Sequence, residues 1–239
     1  MLKIAMWSGP RNISTALMRS FGSRPDCAVY DEPFYPHYLY QTNIRHPMWK
    51  KIIDQEEIDW QRIVNKILGP IPNNKKIWYQ KHMAHHNILG CELNWLDKFK
   101  NCILIRHPQN VISSYTKRFE LKSANQLGYE QLEQLYKILC NMGKVPLVID
   151  ASDILIDPQK MLKTICKKLK IPFYNNMLKW EKGPYDYDGI WGKYWYKNVN
   201  NSMGFKTYCN SKKNITIHSS IYNLCLEKYE YLYDKRLIL

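Results

Sequence analysis

Five short apolar runs, residues 3–8, 27–31, 77–80, 102–105 and 145–150, alternate with stretches in which apolar residues recur every three or four positions. The runs predict buried strands. The stretches 15–22, 58–68, 110–119, 129–142 and 158–169 predict amphipathic helices. Strands alternating with helices predict an α/β fold, with a mostly parallel central sheet flanked by helices on both faces. In such sheets ligands bind beyond the carboxyl ends of the strands. Local signals agree: Asp157 before Pro158 starts a helix, and Ile171-Pro172 ends it. From 180 to 205 the periodicity is lost, and Gly183, Pro184, Gly189, Gly192 and Gly204 are interleaved with Trp191, Tyr194, Trp195 and Tyr196. That mixture predicts an irregular loop with aromatic anchors. A last amphipathic helix is expected over 221–233. Residues 1–239 are expected to form a single domain, with a core over 1–175 and an aromatic-rich lid plus C-terminal helix over 176–239.

Composition adds one bias. The chain has 35 Lys and Arg against 21 Asp and Glu, a net charge of +14 that suits an anionic ligand. Lysine is spread throughout and no basic tail concentrates it, so the excess reads as a solvated surface plus one anion site. Nucleic acid is not an expected partner. The seven cysteines contain no CxxC pair, the pattern of reduced thiols in a cytoplasmic protein. No apolar run reaches membrane-spanning length, and residues 1–6 are too short for a signal-peptide core, so no membrane association is expected.

Four motifs fall at the predicted carboxyl ends of strands. Trp7-Ser8-Gly9-Pro10-Arg11-Asn12-Ile13-Ser14-Thr15 turns a strand into a helix, which leaves amides and a helix dipole facing an anion. Arg11 adds a fixed charge, and the Ser14 and Thr15 hydroxyls either donate to phosphate oxygens or cap the helix. The loop is not a Walker A sequence, because Ile13 stands where that motif needs lysine. Asp31-Glu32-Pro33 follows the second strand. A carboxylate there would repel an anion, which makes sense of Glu32 as a base; the alternative is that Glu32 or Asp31 caps a helix or pairs with Arg11. Gln80-Lys81-His82-Met83-Ala84-His85-His86 follows the third strand, and its histidines on one helical face would suit a metal, although no further ligand cluster accompanies them. The fourth motif, Arg106-His107-Pro108 with Ser114 eight residues on, ends a strand in arginine and opens a helix. Taken alone it reads as a helix-initiating proline beside a structural arginine.

Together these residues resemble the PAPS-dependent sulfotransferase superfamily, whose architecture is P-loop-like. The opening through Pro10-Arg11, Ser14-Thr15, Leu17-Met18-Arg19, Pro25-Asp26 and Glu32 is similar to tyrosylprotein sulfotransferases, and the blocks after residue 79 suggest a small bacterial-type branch. The resemblance implies 3′-phosphoadenosine 5′-phosphosulfate (PAPS) as donor, adenosine 3′,5′-bisphosphate (PAP) as product, and no metal. It implies Pro10, Arg11, Asn12, Ile13, Ser14 and Thr15 at the 5′-phosphosulfate, and Arg106 with Ser114 at the 3′-phosphate. It further implies Glu32 as base and Lys81 between leaving group and sulfuryl oxygen. His82 or His85 stands near the place of the catalytic histidine in cytosolic sulfotransferases. The family's Arg-Lys-Gly opening of the loop over the 3′-phosphate is missing before Met203-Gly204-Phe205-Lys206, with Lys193, Lys197 or Lys206 as replacements. The acceptor is expected to be a small molecule, its pocket shaped by residues 37–49 and 180–205. Competing readings are a small-molecule or nucleoside kinase, and a nucleotide- or RNA-binding module without catalysis.

Overall fold

The computed structural model describes residues 1–87, 91–206 and 219–238. Its centre is a parallel sheet of five strands: β1 (Leu2–Ser8), β2 (Cys27–Asp31), β3 (Ile77–Met83), β4 (Lys100–Ile105) and β5 (Leu147–Asp150), in the order β2-β3-β1-β4-β5. The helices in chain order are α1 (Ser14–Gly22), α2 (Tyr35–Thr42), α3 (Trp49–Gln55), α4 (Trp60–Leu68), α5 (Pro108–Tyr115), α6 (Tyr129–Asn141), α7 (Ala151–Ile156), α8 (Pro158–Leu169), α9 (Gly192–Trp195), α10 (Lys197–Asn200) and α11 (Ser219–Tyr233).

Side chains in a strand alternate between the two faces of the sheet, and the two cores follow that alternation. Ile4 and Met6 of β1, Ile77 and Tyr79 of β3, Cys102 and Leu104 of β4 and Ile149 of β5 pack on one face with α1 and α8. Ala5, Trp7, Ile103, Ile105 and Val148 pack on the other with α4, α6 and α11. Full burial of these strands on both sides explains why they read as continuous apolar runs. Polar caps set the helix starts: Asp59 accepts from the Arg62 amide at 2.8 Å and Asp157 from that of Lys160 at 2.9 Å.

Three sequence expectations are corrected. The third strand runs on to Met83 rather than stopping at Gln80, so Lys81 and His82 lie inside β3. The stretch 37–49 begins within α2 and reaches the start of α3, and α2 tolerates Pro36 because a first-turn proline loses no helical hydrogen bond. The irregular stretch 180–205 contains α9 and α10. Within the expected lid, residues 207–218, and with them Cys209, lie outside the described residues. The six described cysteines form no disulfide among the described residues.

Candidate active site

The turn from β1 into α1 passes so close to the chain before α6 that a Cβ on Gly9 would stand 2.3 Å from the Leu127 carbonyl oxygen, so only glycine fits. Beyond it, Arg11 and Ile13 adopt left-handed backbone angles, φ 63° and 56°. Such non-glycine conformations cost about 1–3 kcal/mol each and cluster at ligand sites. Ile13, not a hydroxyl residue, occupies the N-cap of α1, so Ser14 and Thr15 open the helix instead of capping it. No side chain caps that terminus and its first turn carries no acidic residue, leaving amides and dipole available to an anion. Asn12 is buried and donates to the Leu104 carbonyl at 3.2 Å, tying the loop to β4 instead of reaching outward.

Arginines gather beside this turn. Arg11 Nε donates to Ser114 Oγ at 2.9 Å, and Arg106 Nη1 donates to the Arg11 carbonyl at 2.8 Å. The Tyr129 hydroxyl holds the Arg106 carbonyl at 2.6 Å. The first and fourth motifs, 103 residues apart at Arg11 and Ser114, are therefore one site. Arg118, outside the four sequence motifs, joins them. The chain keeps winding past α5, with the Phe119 amide on the Tyr115 carbonyl at 3.1 Å, so Arg118 follows Ser114 by one turn on the same face. Helical spacing from Ser114 was the signal that could have found it. Burial, then the positive charges of Arg118 and Arg106, lower the Arg11 pKa. Among the described residues no carboxylate pairs with Arg11 or Arg118. Lys193, Lys197 and Lys206 are exposed.

The second half of the site lies at the ends of β2 and β3. Asp31 pairs in register with Lys81. Consecutive strand residues normally point to opposite faces, but Glu32 adopts φ 40°, and both carboxylates reach the same ammonium. Lys81 Nζ contacts Asp31 Oδ1 at 3.0 Å, Glu32 Oε1, and the Tyr196 hydroxyl at 2.7 Å. Asp31 also accepts from the Gly189 amide and the Trp191 indole, both at 3.1 Å, and from Tyr196 at 2.7–2.8 Å. Burial by itself would lower the Lys81 pKa, but Asp31 and Glu32 outweigh it and raise it. Burial raises that of Glu32 against the opposing pull of Lys81. The alternative partner expected for these carboxylates, Arg11, is not the one they take.

His82 is on the other face. It stacks on Trp7 at 4.4 Å between centroids and lies 5.8 Å from both Phe34 and Trp95. Both ring nitrogens lack a partner among the described residues, and burial, helped by Lys81, pushes its pKa down to about 3. The structure thus does not bring His82 to the carboxylates, and strand alternation is the reason. It also separates His82 from the short 3-10 turn holding His85 and His86, so the three share no helical face. No metal-holding group of His, Cys, Asp or Glu occurs among the described residues. Next to Glu32 stands an aromatic wall: the Tyr35 hydroxyl bonds His46 Nδ1 at 2.8 Å, Trp195 meets His46 edge-on at 5.5 Å, and Phe119 lies 5.0 Å from Trp195.

Comparison with known proteins gives a family. Residues 2–217 match the family model described as a sulfotransferase domain. The chain is 36% identical over 230 residues to branched-chain-amino-acid aminotransferase-like protein 2 of Arabidopsis thaliana, a match that covers 96% of this chain but spans 41% of the plant protein. Among solved structures, the sulfotransferase domain from the olefin synthase of Synechococcus PCC 7002 superposes with a TM-score of 0.59 at 17% identity, covering 100% of this chain and 96% of that one. A sulfotransferase from Alicyclobacillus acidocaldarius gives 0.55 at 10% identity, covering 100% and 97%. At these identities the two structures share the fold. No helix among the described residues is long and apolar enough to cross a membrane.

Proposed function

The chain belongs to the sulfotransferase-domain family, and from that membership we propose that it transfers a sulfuryl group from PAPS to a hydroxyl of a small acceptor. One observation carries the reading: Arg11, Arg106 and Arg118 gather with Ser114 at the carboxyl ends of β1 and β4, and a base paired with a lysine stands at the ends of β2 and β3. The donor set fits a nucleotide with phosphates at two ends. The open amides of α1, Ser14 and Thr15 suit the 5′ end, and Arg106, Ser114 and Arg118 suit the 3′ end.

The donor supplies the sulfuryl group and a phosphate that leaves with the electron pair of the broken sulfur–oxygen bond. Glu32 takes the acceptor's proton as the acceptor oxygen bonds to sulfur. Burial raises its affinity for that proton, which suits a base. Lys81 is held charged by Asp31 and meets negative charge growing on the leaving oxygen, while Arg11 neutralises the sulfuryl oxygens. Positioning and fixed charge provide most of the acceleration. The aromatic wall around Tyr35 and Trp195 excludes water on the acceptor side. The amino-group chemistry in the plant relative's name is not carried over, because this chain spans less than half of that protein.

The test is transfer of labelled sulfate from PAPS into metabolite extracts. Wild type is expected to label an acceptor, and Glu32→Gln to lower turnover by roughly 10²-fold or more while PAP binding measured by calorimetry stays within about twofold. Absence of PAP binding, or full activity in Glu32→Gln, overturns the reading.

A further inference from the structure

Among the groups around Glu32, one comes from far along the chain and is not required by the roles above. Tyr196 follows α9, 164 residues after Glu32, and its ring is buried. Its hydroxyl lies 2.7 Å from Lys81 Nζ, 2.7 and 2.8 Å from the two Asp31 oxygens, and 3.3 Å from Glu32 Oε1. A phenol has one proton to donate and can accept in return. The shortest geometry has it donating to Asp31 and accepting from the Lys81 ammonium.

The segment carrying it is firmly seated. Arg19 grips Asp188 through two parallel bonds of 2.5 and 2.6 Å and reaches Asn200 at 3.1 Å, with its guanidinium 4.3 Å from the Tyr185 ring centroid. Asp31 then fastens the same segment at three points, Gly189, Trp191 and Tyr196. One carboxylate beside the base therefore anchors the covering segment and shares the base's lysine.

We propose that Tyr196 is a positioning residue for the base: its hydroxyl, brought in by the covering segment and fastened by Asp31, fixes the Lys81 ammonium between the two carboxylates and keeps Glu32 ready to accept a proton. The inference rests on Glu32 being the base. The physical case is charge balance. Two buried carboxylates share one ammonium, so the group carries an excess negative charge that only polar donors can relieve. Removing one hydroxyl makes the ionised pair harder to maintain. Glu32 is faced by Asp31 from its own strand end, Lys81 from β3, Tyr35 from α2 and Tyr196 from the covering segment; Lys81 in turn is felt by His82 and His86. Neither histidine supplies a donor to Glu32, so no group in that set replaces the lost hydroxyl.

Carboxyl-carbon NMR of protein labelled at glutamate reads the ionisation of Glu32 directly, with the resonance assigned by its loss in Glu32→Gln. In Tyr196→Phe the Glu32 titration is expected to move up by about one pH unit, a tenfold smaller ionised-to-neutral ratio at a given pH. Tyr194→Phe, on an exposed neighbour in the same segment, is expected to titrate as wild type. A 3-fluorotyrosine at position 196, a stronger donor of nearly the same shape, is expected to shift the midpoint downward, and decides the matter if the phenylalanine variant does not fold. An unchanged midpoint with fluorotyrosine, or with a folded Tyr196→Phe, overturns the inference. The titration is read without donor or acceptor, so its failure and failure of the transfer reaction are separate results.

Discussion

Lys81 and His82 are consecutive in β3, each 1% exposed, and they meet opposite surroundings. Lys81 enters a polar pocket where Asp31, Glu32 and Tyr196 each take one of its contacts. His82 enters an aromatic pocket of Trp7, Phe34 and Trp95, where its ring nitrogens find no partner among the described residues. Burial pulls both groups toward the neutral form. It prevails at His82, and at Lys81 the two carboxylates reverse it. Equal burial thus yields a charged group on one face of the strand and a neutral one on the other, and the difference lies entirely in the partners.

Removing the lysine should break the polar side most severely. Lys81→Met leaves Asp31 and Glu32 without their ammonium, and the expected loss of stability in urea unfolding is about 3–5 kcal/mol. Turnover in the same variant is expected to fall by roughly 10³-fold, since one change removes both charge stabilisation and the base's partner. A folded variant with wild-type stability would show that the carboxylates are already neutral.

Acid sharpens the aromatic side. His82 and His86 are held below the histidine value in the folded chain, His82 at about 3. The unfolded chain therefore binds more protons, and the stability these residues contribute is complete above about pH 6.5 and is lost as pH falls toward their folded values. Together they should remove about 3 kcal/mol between pH 6.5 and 5, followed by denaturant unfolding at each pH. His82→Phe is expected to abolish about half of that dependence and to leave turnover within about threefold of wild type. If the slope is unchanged, the ring is not held neutral as its surroundings imply.

The arginine cluster extends the comparison to like charges gathered side by side, where Arg118 and Arg106 act on Arg11. Arg118→Ala is expected to weaken PAP binding by about tenfold while adenosine 5′-monophosphate binds as before, both by calorimetry. Equal weakening of the two nucleotides would place Arg118 at the 5′ end instead.

Much of the fold was legible. Burial on both faces made the central strands continuous apolar runs, and capping residues such as Asp157 set helix starts within a residue or two. The strand ends were less so: β3 runs three residues past Gln80 because Lys81 and His82 are polar by type, and only their three-dimensional surroundings bury them. Of the candidate site, Arg11 and Glu32 stood out in local motifs, whereas Lys81, Arg106 and Ser114 were named through the family resemblance those motifs carry. Arg118 was recoverable from helical spacing beyond Ser114. Tyr196 was not, since it reads as one aromatic among several in a glycine-interrupted stretch.

The sequence by itself determined the order of strands and helices and which chain segments end at the site, because burial on one or both faces leaves a period in the residues. The tertiary structure alone decided which neighbours became partners. Alternation of a strand sent Lys81 and His82 apart, the backbone at Glu32 turned two adjacent carboxylates onto one ammonium, and packing brought Tyr196 to Asp31 across 165 residues. Contacts of that range leave no local pattern in a single sequence, because they depend on where whole elements pack and not on the residues beside them.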